Sequence, residues 1–121
     1  MEQANKTDRT APVSLTENRD FRRVYAKGKS WVSPALITYA YKNRCKTVRV
    51  GITTSKKTGN AVKRNRSRRI IRAALRALVP QIPPQKGVDL VFVARAKTPF
   101  LKSTEIEKAM RAHLKQAGVM K

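Results

Sequence analysis

Acid is scarce in this 121-residue chain: Asp and Glu total 7 against 28 Lys and Arg, leaving a formal charge of +21. A compact chain repels itself at such a charge unless a polyanion neutralises it. Nucleic acid meets that need, because each neutralised phosphate releases counterions. The shortage also bears on chemistry. A metal-dependent nuclease gathers several carboxylates around its ions, and the whole supply here is Glu2, Asp8, Glu17, Asp20, Asp89, Glu105 and Glu107. Glu17 and Asp20 share a helix, while Glu105 and Glu107 fall at a helix start where capping accounts for them. The only histidine, His113, has no second imidazole to work with and is expected at the edge of the last helix. No catalytic residue and no bound metal are therefore expected on the protein. The only cysteine, Cys45, makes no internal disulfide, which suits a reducing compartment. It is expected as a half-buried strand thiol. No apolar run approaches membrane-spanning length and no signal-peptide pattern opens the chain. The expected location is the cytoplasm, with no membrane partner. A membrane-surface helix would set Trp or Phe opposite its Lys and Arg, whereas the basic segments here carry small aliphatic residues.

What is present folds: hydrophobic residues make up 40% of the chain, enough for one modest core. Residues 1–13 are polar and aperiodic, and are expected to be a mobile arm. The domain proper is expected over 14–121. Ser14-Leu15-Thr16-Glu17 has the spacing of a capping box, Phe21, Val24 and Tyr25 follow at helical spacing, and Gly28 is a stop. Residues 35–41 and 48–54 alternate as strands, with Asn43-Arg44-Cys45-Lys46 as a hairpin loop between them. Gly59-Asn60 opens a long helix to about Leu78, closed by Pro80, Pro83, Pro84 and Gly87. Residues 88–94 are apolar apart from Asp89, the pattern of a buried strand. Thr104 and Glu107 have capping-box spacing. Ile106, Ala109, Met110, Leu114 and Ala117 then give a last helix its apolar stripe, ending at Gly118. The order αββαβα implies a single-domain α+β sandwich.

The long helix is the centre of the functional reading. Projected along its axis, Ile70, Ile71, Ala74, Leu75 and Leu78 gather on one side. Asn65, Arg68, Arg69, Arg72 and Arg76 gather on the other, with Arg64 and Arg66 at the borders. Like charges at i,i+4 oppose one another, so clustered Arg is costly without an anion alongside. No acidic residue occurs between Asp20 and Asp89 to serve as one. Arg also matches phosphate oxygens with a planar fork and stacks on bases. The preceding loop, Ser55-Lys56-Lys57-Thr58-Gly59-Asn60, runs into a helix N-terminus that favours anions. Its order of Gly, Lys and Ser is not that of a nucleotide-hydrolysing loop.

These residues resemble a known signature. Ser55-Lys56-Lys57, Gly59-Asn60-Ala61-Val62 and Arg64-Asn65-Arg66, with Arg68, Arg69 and Arg72, are similar to the signature of the bacterial ribonuclease P protein over about eighteen ungapped residues. The resemblance implies a ribosomal protein S5 domain 2-like fold with a left-handed βαβ crossover through the Arg helix. It implies the protein subunit of a tRNA 5′-maturation endoribonuclease whose RNA subunit is catalytic and carries the required Mg2+. By resemblance, Arg64, Asn65, Arg66, Arg68, Arg69 and Arg72 bind that RNA. A cleft of Phe21, Tyr25, Ile37 and Tyr39 takes the single-stranded 5′ leader of precursor tRNA, and no obligate protein partner is expected. Ser55, Lys56, Lys57, Gly59 and Asn60 form the anion-handling loop. Tyr25 stands where phenylalanine also serves, which keeps a stacking face. Stacking on aromatics tolerates any base, as a variable leader requires. Phe21 reads equally as a core residue, and Trp31 as either. Two rivals share the charge: a structural RNA-binding protein, which does not need this signature, and a helix-based DNA binder, which lacks here a preceding turn-and-helix unit.

Overall fold

The computed structural model describes residues 13–83 and 86–120. Residues 1–12 of the arm expected over 1–13, with Glu2 and Asp8, and Pro84 of the proline-rich loop lie outside the described residues, whereas Val13, the last residue of that arm, is paired with Arg49 in a strand. The chain runs β1 (Val13–Ser14), α1 (Asn18–Lys27), β2 (Lys29–Val32), β3 (Leu36–Lys42), β4 (Val48–Thr53), α2 (Ala61–Leu78), β5 (Val88–Ala94) and α3 (Ser103–Gln116). Single 3₁₀ turns stand at Lys56–Thr58, Val79–Gln81 and Thr98–Phe100. The expected α+β order is thus present, with two short edge strands, β1 and β2, added to it.

One sheet of order β1-β4-β5-β3-β2 organises everything. β1 and β5 both pair parallel with β4, while β3 pairs antiparallel with β5 and β2. The 43–46 segment is therefore not a hairpin loop: β5 lies between β3 and β4. The reason is burial. Val88, Leu90, Phe92 and Ala94 face one way and Val91 the other, and all are buried, so β5 must be central and covered on both faces. Asn43 fastens the displaced connection by donating its backbone N–H to Gly87 O at 2.8 Å and Nδ2 to Thr47 O at 3.1 Å. Cys45 sits on this exposed turn and not on a strand.

Each face of the sheet has its own cluster. On one, Leu36, Val50, Leu90 and Phe92 pack against Ile71, Leu75 and Leu78 of α2 and Ile106, Met110 and Leu114 of α3. On the other, Val91 packs with Leu15 and Val24, flanked by Phe21, Tyr39, Tyr41 and Val93. α1 covers only part of that second face, and the remainder stays open.

The helix starts shift from expectation. Ser14 belongs to β1, and Leu15 N–H still bonds Val50 O at 2.8 Å, so sheet pairing outlasts the proposed capping box. α1 begins at Asn18, with Glu17 at its cap position but no side-chain capping bond. α3 begins at Ser103, where Glu105 Oε1 accepts from Lys102 N at 3.1 Å, in place of the Thr104–Glu107 pair. Gly28 does end α1, but by close approach: a Cβ there would stand 2.6 Å from Val24 O and 2.7 Å from Ala40 O.

Two buried polar groups are satisfied across the fold. Asp89 accepts from Arg49 Nε at 2.8 Å, Arg49 Nη2 at 2.7 Å and Asn43 Nδ2 at 2.6 Å. This fork to Asp89, set against some desolvation, raises the Arg49 pKa above its ordinary value. His113 is not at the helix edge; it is 5% exposed, with Nδ1 2.8 Å from Thr38 Oγ1. Burial pushes its pKa down.

Candidate nucleic-acid interface

The approach to α2 is tightly built. Ser55 Oγ accepts from Lys57 N at 3.3 Å, and buried Thr58 donates Oγ1 to Ala94 O at 3.4 Å. Gly59 turns the chain at φ +128°, a conformation a side chain would strain. Asn60 then caps α2, its Oδ1 accepting from Lys63 N at 3.0 Å. One free helix donor is thereby used internally, which leaves the Lys56 and Lys57 side chains as the loop's exposed charges.

Ser67, Ile71, Ala74, Leu75 and Leu78 form the buried side of α2. Ser67 is tolerated there because its Oγ donates to Lys63 O at 2.9 Å. Asn65, Arg66, Arg69, Arg72 and Arg76 are exposed, while Arg64 and Ile70 are half-buried on the flanks. Arg68 departs from expectation. It lies on the Arg64 flank, half-buried, and donates Nη1 to Asn65 Oδ1 at 3.2 Å, bracing Asn65 within the Arg surface. Among the described residues, the ion pairs use Glu17, Asp20, Asp89 and Glu107, and none of them involves α2.

On the opposite sheet face, Tyr25 of α1 meets Tyr39 of β3 edge to face, with ring centroids 4.9 Å apart and planes at 79°. Tyr25 OH lies 3.3 Å from Thr53 Oγ1 on β4 and the residue is 40% exposed. Phe21 is a packing residue: it lies over Gly51, where an added Cβ would come within 2.6 Å of its Cζ. The sheet register continues the surface. Ile37 pairs with Val93, and Val93 with Thr53, so these half-buried side chains form one floor beyond the tyrosines. An open groove of about 550 Å³ follows, including Ile37, Val93, Ser55, Lys57, Arg95 and Lys97.

The structure thus brings the expected cleft residues Phe21, Tyr25, Ile37 and Tyr39 together, and joins them to Ser55 and Lys57 of the loop. The sequence reading missed Thr53, Val93, Arg95 and Lys97. Basic residues directly after an apolar strand were the available signal for the last two. Trp31 is elsewhere, beside Lys27, Lys29, Lys42 and Lys86 around a separate groove of about 420 Å³. Among the described residues, no group of three or more His, Cys, Asp or Glu is placed to hold a metal ion. No described helix is long and apolar enough to cross a membrane.

Comparison with known proteins adds the family. The family model described as Ribonuclease P matches residues 10–118. A ribonuclease P protein component from Clostridium botulinum is 40% identical over 105 residues, spanning 87% of this chain and 94% of that protein. One from Dehalococcoides mccartyi is 35% identical over 120 residues, 99% of this chain and 90% of that one. Among solved structures, the Staphylococcus aureus RNase P protein superposes with a TM-score of 0.76 at 31% identity, covering 89% of this chain and 97% of that chain. The Thermotoga maritima RNase P protein gives 0.70 at 27% identity, with 82% and 92% covered.

Proposed function

The chain belongs to the ribonuclease P protein family and is the protein component of the enzyme that processes tRNA 5′ ends together with an RNA subunit; from that premise we propose a division of labour between its two sheet faces. α2 binds the RNA subunit through Arg64, Asn65, Arg66, Arg68, Arg69 and Arg72. The face carrying Phe21, Tyr25, Ile37 and Tyr39 binds the single-stranded 5′ leader of precursor tRNA. The observation that carries this is the arrangement itself: a helix whose arginines form no ion pair among the described residues on one side of the sheet, and an open aromatic floor with basic walls on the other.

The chemistry of each surface suits its ligand. Guanidinium groups grip phosphates without reading sequence, which fits a folded RNA of fixed shape. Tyr25 and Tyr39 offer ring faces and edges, while Lys57, Arg95 and Lys97 line the groove beyond as a track for backbone phosphates. Ser55, Lys56, Lys57, Gly59 and Asn60 connect the two surfaces, with Lys57 serving the leader groove. Hydrolysis then falls to the RNA subunit and its magnesium. The protein contributes by lowering the repulsion between catalytic RNA and substrate. The working site is the cytoplasm, and no further protein partner is required.

The direct test is cleavage of a precursor tRNA by a bacterial ribonuclease P RNA at low magnesium, with and without this protein. Correct 5′ cleavage is expected only with the protein present. Tight RNA binding without any rescue of cleavage would overturn the proposal in favour of a purely structural RNA-binding role.

A further inference from the structure

Phe100 is an anomaly of the surface: a large aromatic, 69% exposed, at the end of a single 3₁₀ turn between β5 and α3. A single exposed apolar residue means little by itself. This one is held in place and surrounded by charge. The Thr98–Phe100 turn is pinned by Thr98 Oγ1, which accepts from Arg95 N at 2.8 Å and donates to Ala35 O at 2.6 Å. Thr98 and Pro99 are buried, so the turn is seated and its last residue projects. Lys63 of α2 places Nζ 5.2 Å from the ring centroid, over one face. Beside the ring an open groove of about 600 Å³ runs between α2 and the start of α3, with Arg66, Arg69 and Lys102 along it. Arg66 and Arg69 belong to the exposed side of α2, so the groove continues that surface and lies away from the tyrosine cleft on the other sheet face.

An aromatic ring ringed by cations is the arrangement that takes an unpaired base: the ring stacks on the π-face and the cations meet the flanking phosphates. Protein docking fits poorly here, because the groove is lined by Arg66, Arg69 and Lys102 and by no acidic residue, and Lys63 already holds the ring in a cation–π contact. The geometry points to Phe100 as a stacking residue for one unpaired nucleotide of the RNA subunit, with Arg66, Arg69 and Lys102 holding the adjoining backbone. This rests on the reading of α2 as the RNA-subunit helix and extends that interface by a base-recognising pocket at its edge.

Equilibrium binding of the full-length protein to ribonuclease P RNA, across a series of salt concentrations, tests it with Phe100→Ala, Phe100→Leu and Phe100→Tyr beside Arg72→Ala. Phe100→Ala and Phe100→Leu are expected to raise Kd by about fivefold or more, with the wild-type salt slope, since stacking releases no counterions. Phe100→Tyr keeps the ring and is expected to keep the affinity. An unchanged Kd for Phe100→Ala, a loss shared by Phe100→Tyr, or a shallower salt slope would each overturn the stacking role. A loss confined to leader-bearing precursor tRNA in the holoenzyme would overturn the RNA-subunit assignment. Arg72→Ala separates the premises: its failure to weaken binding sinks the α2 reading, whatever Phe100 does.

Discussion

His113 shows how much one residue's setting decides. Its ring is enclosed between α3 and the sheet and is held by Thr38 Oγ1. Protonation would put a charge where desolvation opposes it, which is why its pKa is lowered. The unfolded chain therefore takes up a proton more readily than the native one as pH falls. The contribution of this residue is fully present above the ordinary histidine value of about 6.5 and is lost as pH drops through the depressed native value. Thermal midpoints measured from about pH 8 down to about pH 5 should fall more steeply for wild type than for His113→Gln below about pH 6.5. The variant is expected to be less stable at neutral pH, because the buried bond to Thr38 is disturbed, yet flatter in its acid response. Parallel curves would mean that His113 is not the group that titrates. Phe21 teaches the same lesson without charge. Its ring is spent on covering Gly51, so the proposed leader contact rests on Tyr25 and Tyr39, whose rings meet edge to face.

At the scale of elements, α2 divides its labour by angle. The side bearing Ile71, Ala74, Leu75 and Leu78 anchors it, and the opposite side carries Arg69, Arg72 and Arg76 into solvent. Arg72→Ala removes one exposed cation and no packing. It should weaken binding to the RNA subunit and lower the slope of log K against log salt by about one unit. Arg68→Ala differs in kind, since it also frees Asn65 from its brace, so its loss should exceed that expected from the slope alone. Salt titrations of both variants check this. The sequence made α2 and α3 legible because their apolar stripes repeat within the element. It also exposed β5, whose apolar run, interrupted only by Asp89, demands cover on both faces. The pairing of β3 and β4 was hidden for the same reason: the strand that separates them arrives some forty residues later. β1 and β2 left no pattern because Val13, Ser14, Lys29, Ser30 and Val32 are exposed, so burial never imposes an alternation on them. The Arg cluster and the paired tyrosines were readable as residue types. That Ile37, Val93, Lys57 and Arg95 share one groove depends on the sheet register, which no local window contains.

For the whole molecule, the consequence of two faces is two separable defects. α2 packs on one side of the sheet and Tyr25 lies on the other, so a sheet's thickness stands between the surface proposed for the RNA subunit and the one proposed for the leader. With a charge of +21, the protein loses little of its general attraction to RNA when one side chain is removed. A defect in assembly is a matter of occupancy, and mass action repairs occupancy. In holoenzyme assays with leader-bearing precursor tRNA, Arg72→Ala should therefore be rescued by raising the protein concentration. Tyr25→Ala should assemble normally, weaken the leader-bearing substrate by about fivefold or more, leave mature tRNA binding unchanged, and resist rescue at any protein concentration. The double variant at saturating protein should fall back to the level of Tyr25→Ala alone. If saturating protein instead restored Tyr25→Ala, the tyrosine would belong to assembly and the two faces would be one interface. If both variants resisted rescue, α2 would touch substrate as well, and the sheet would not divide the two RNAs.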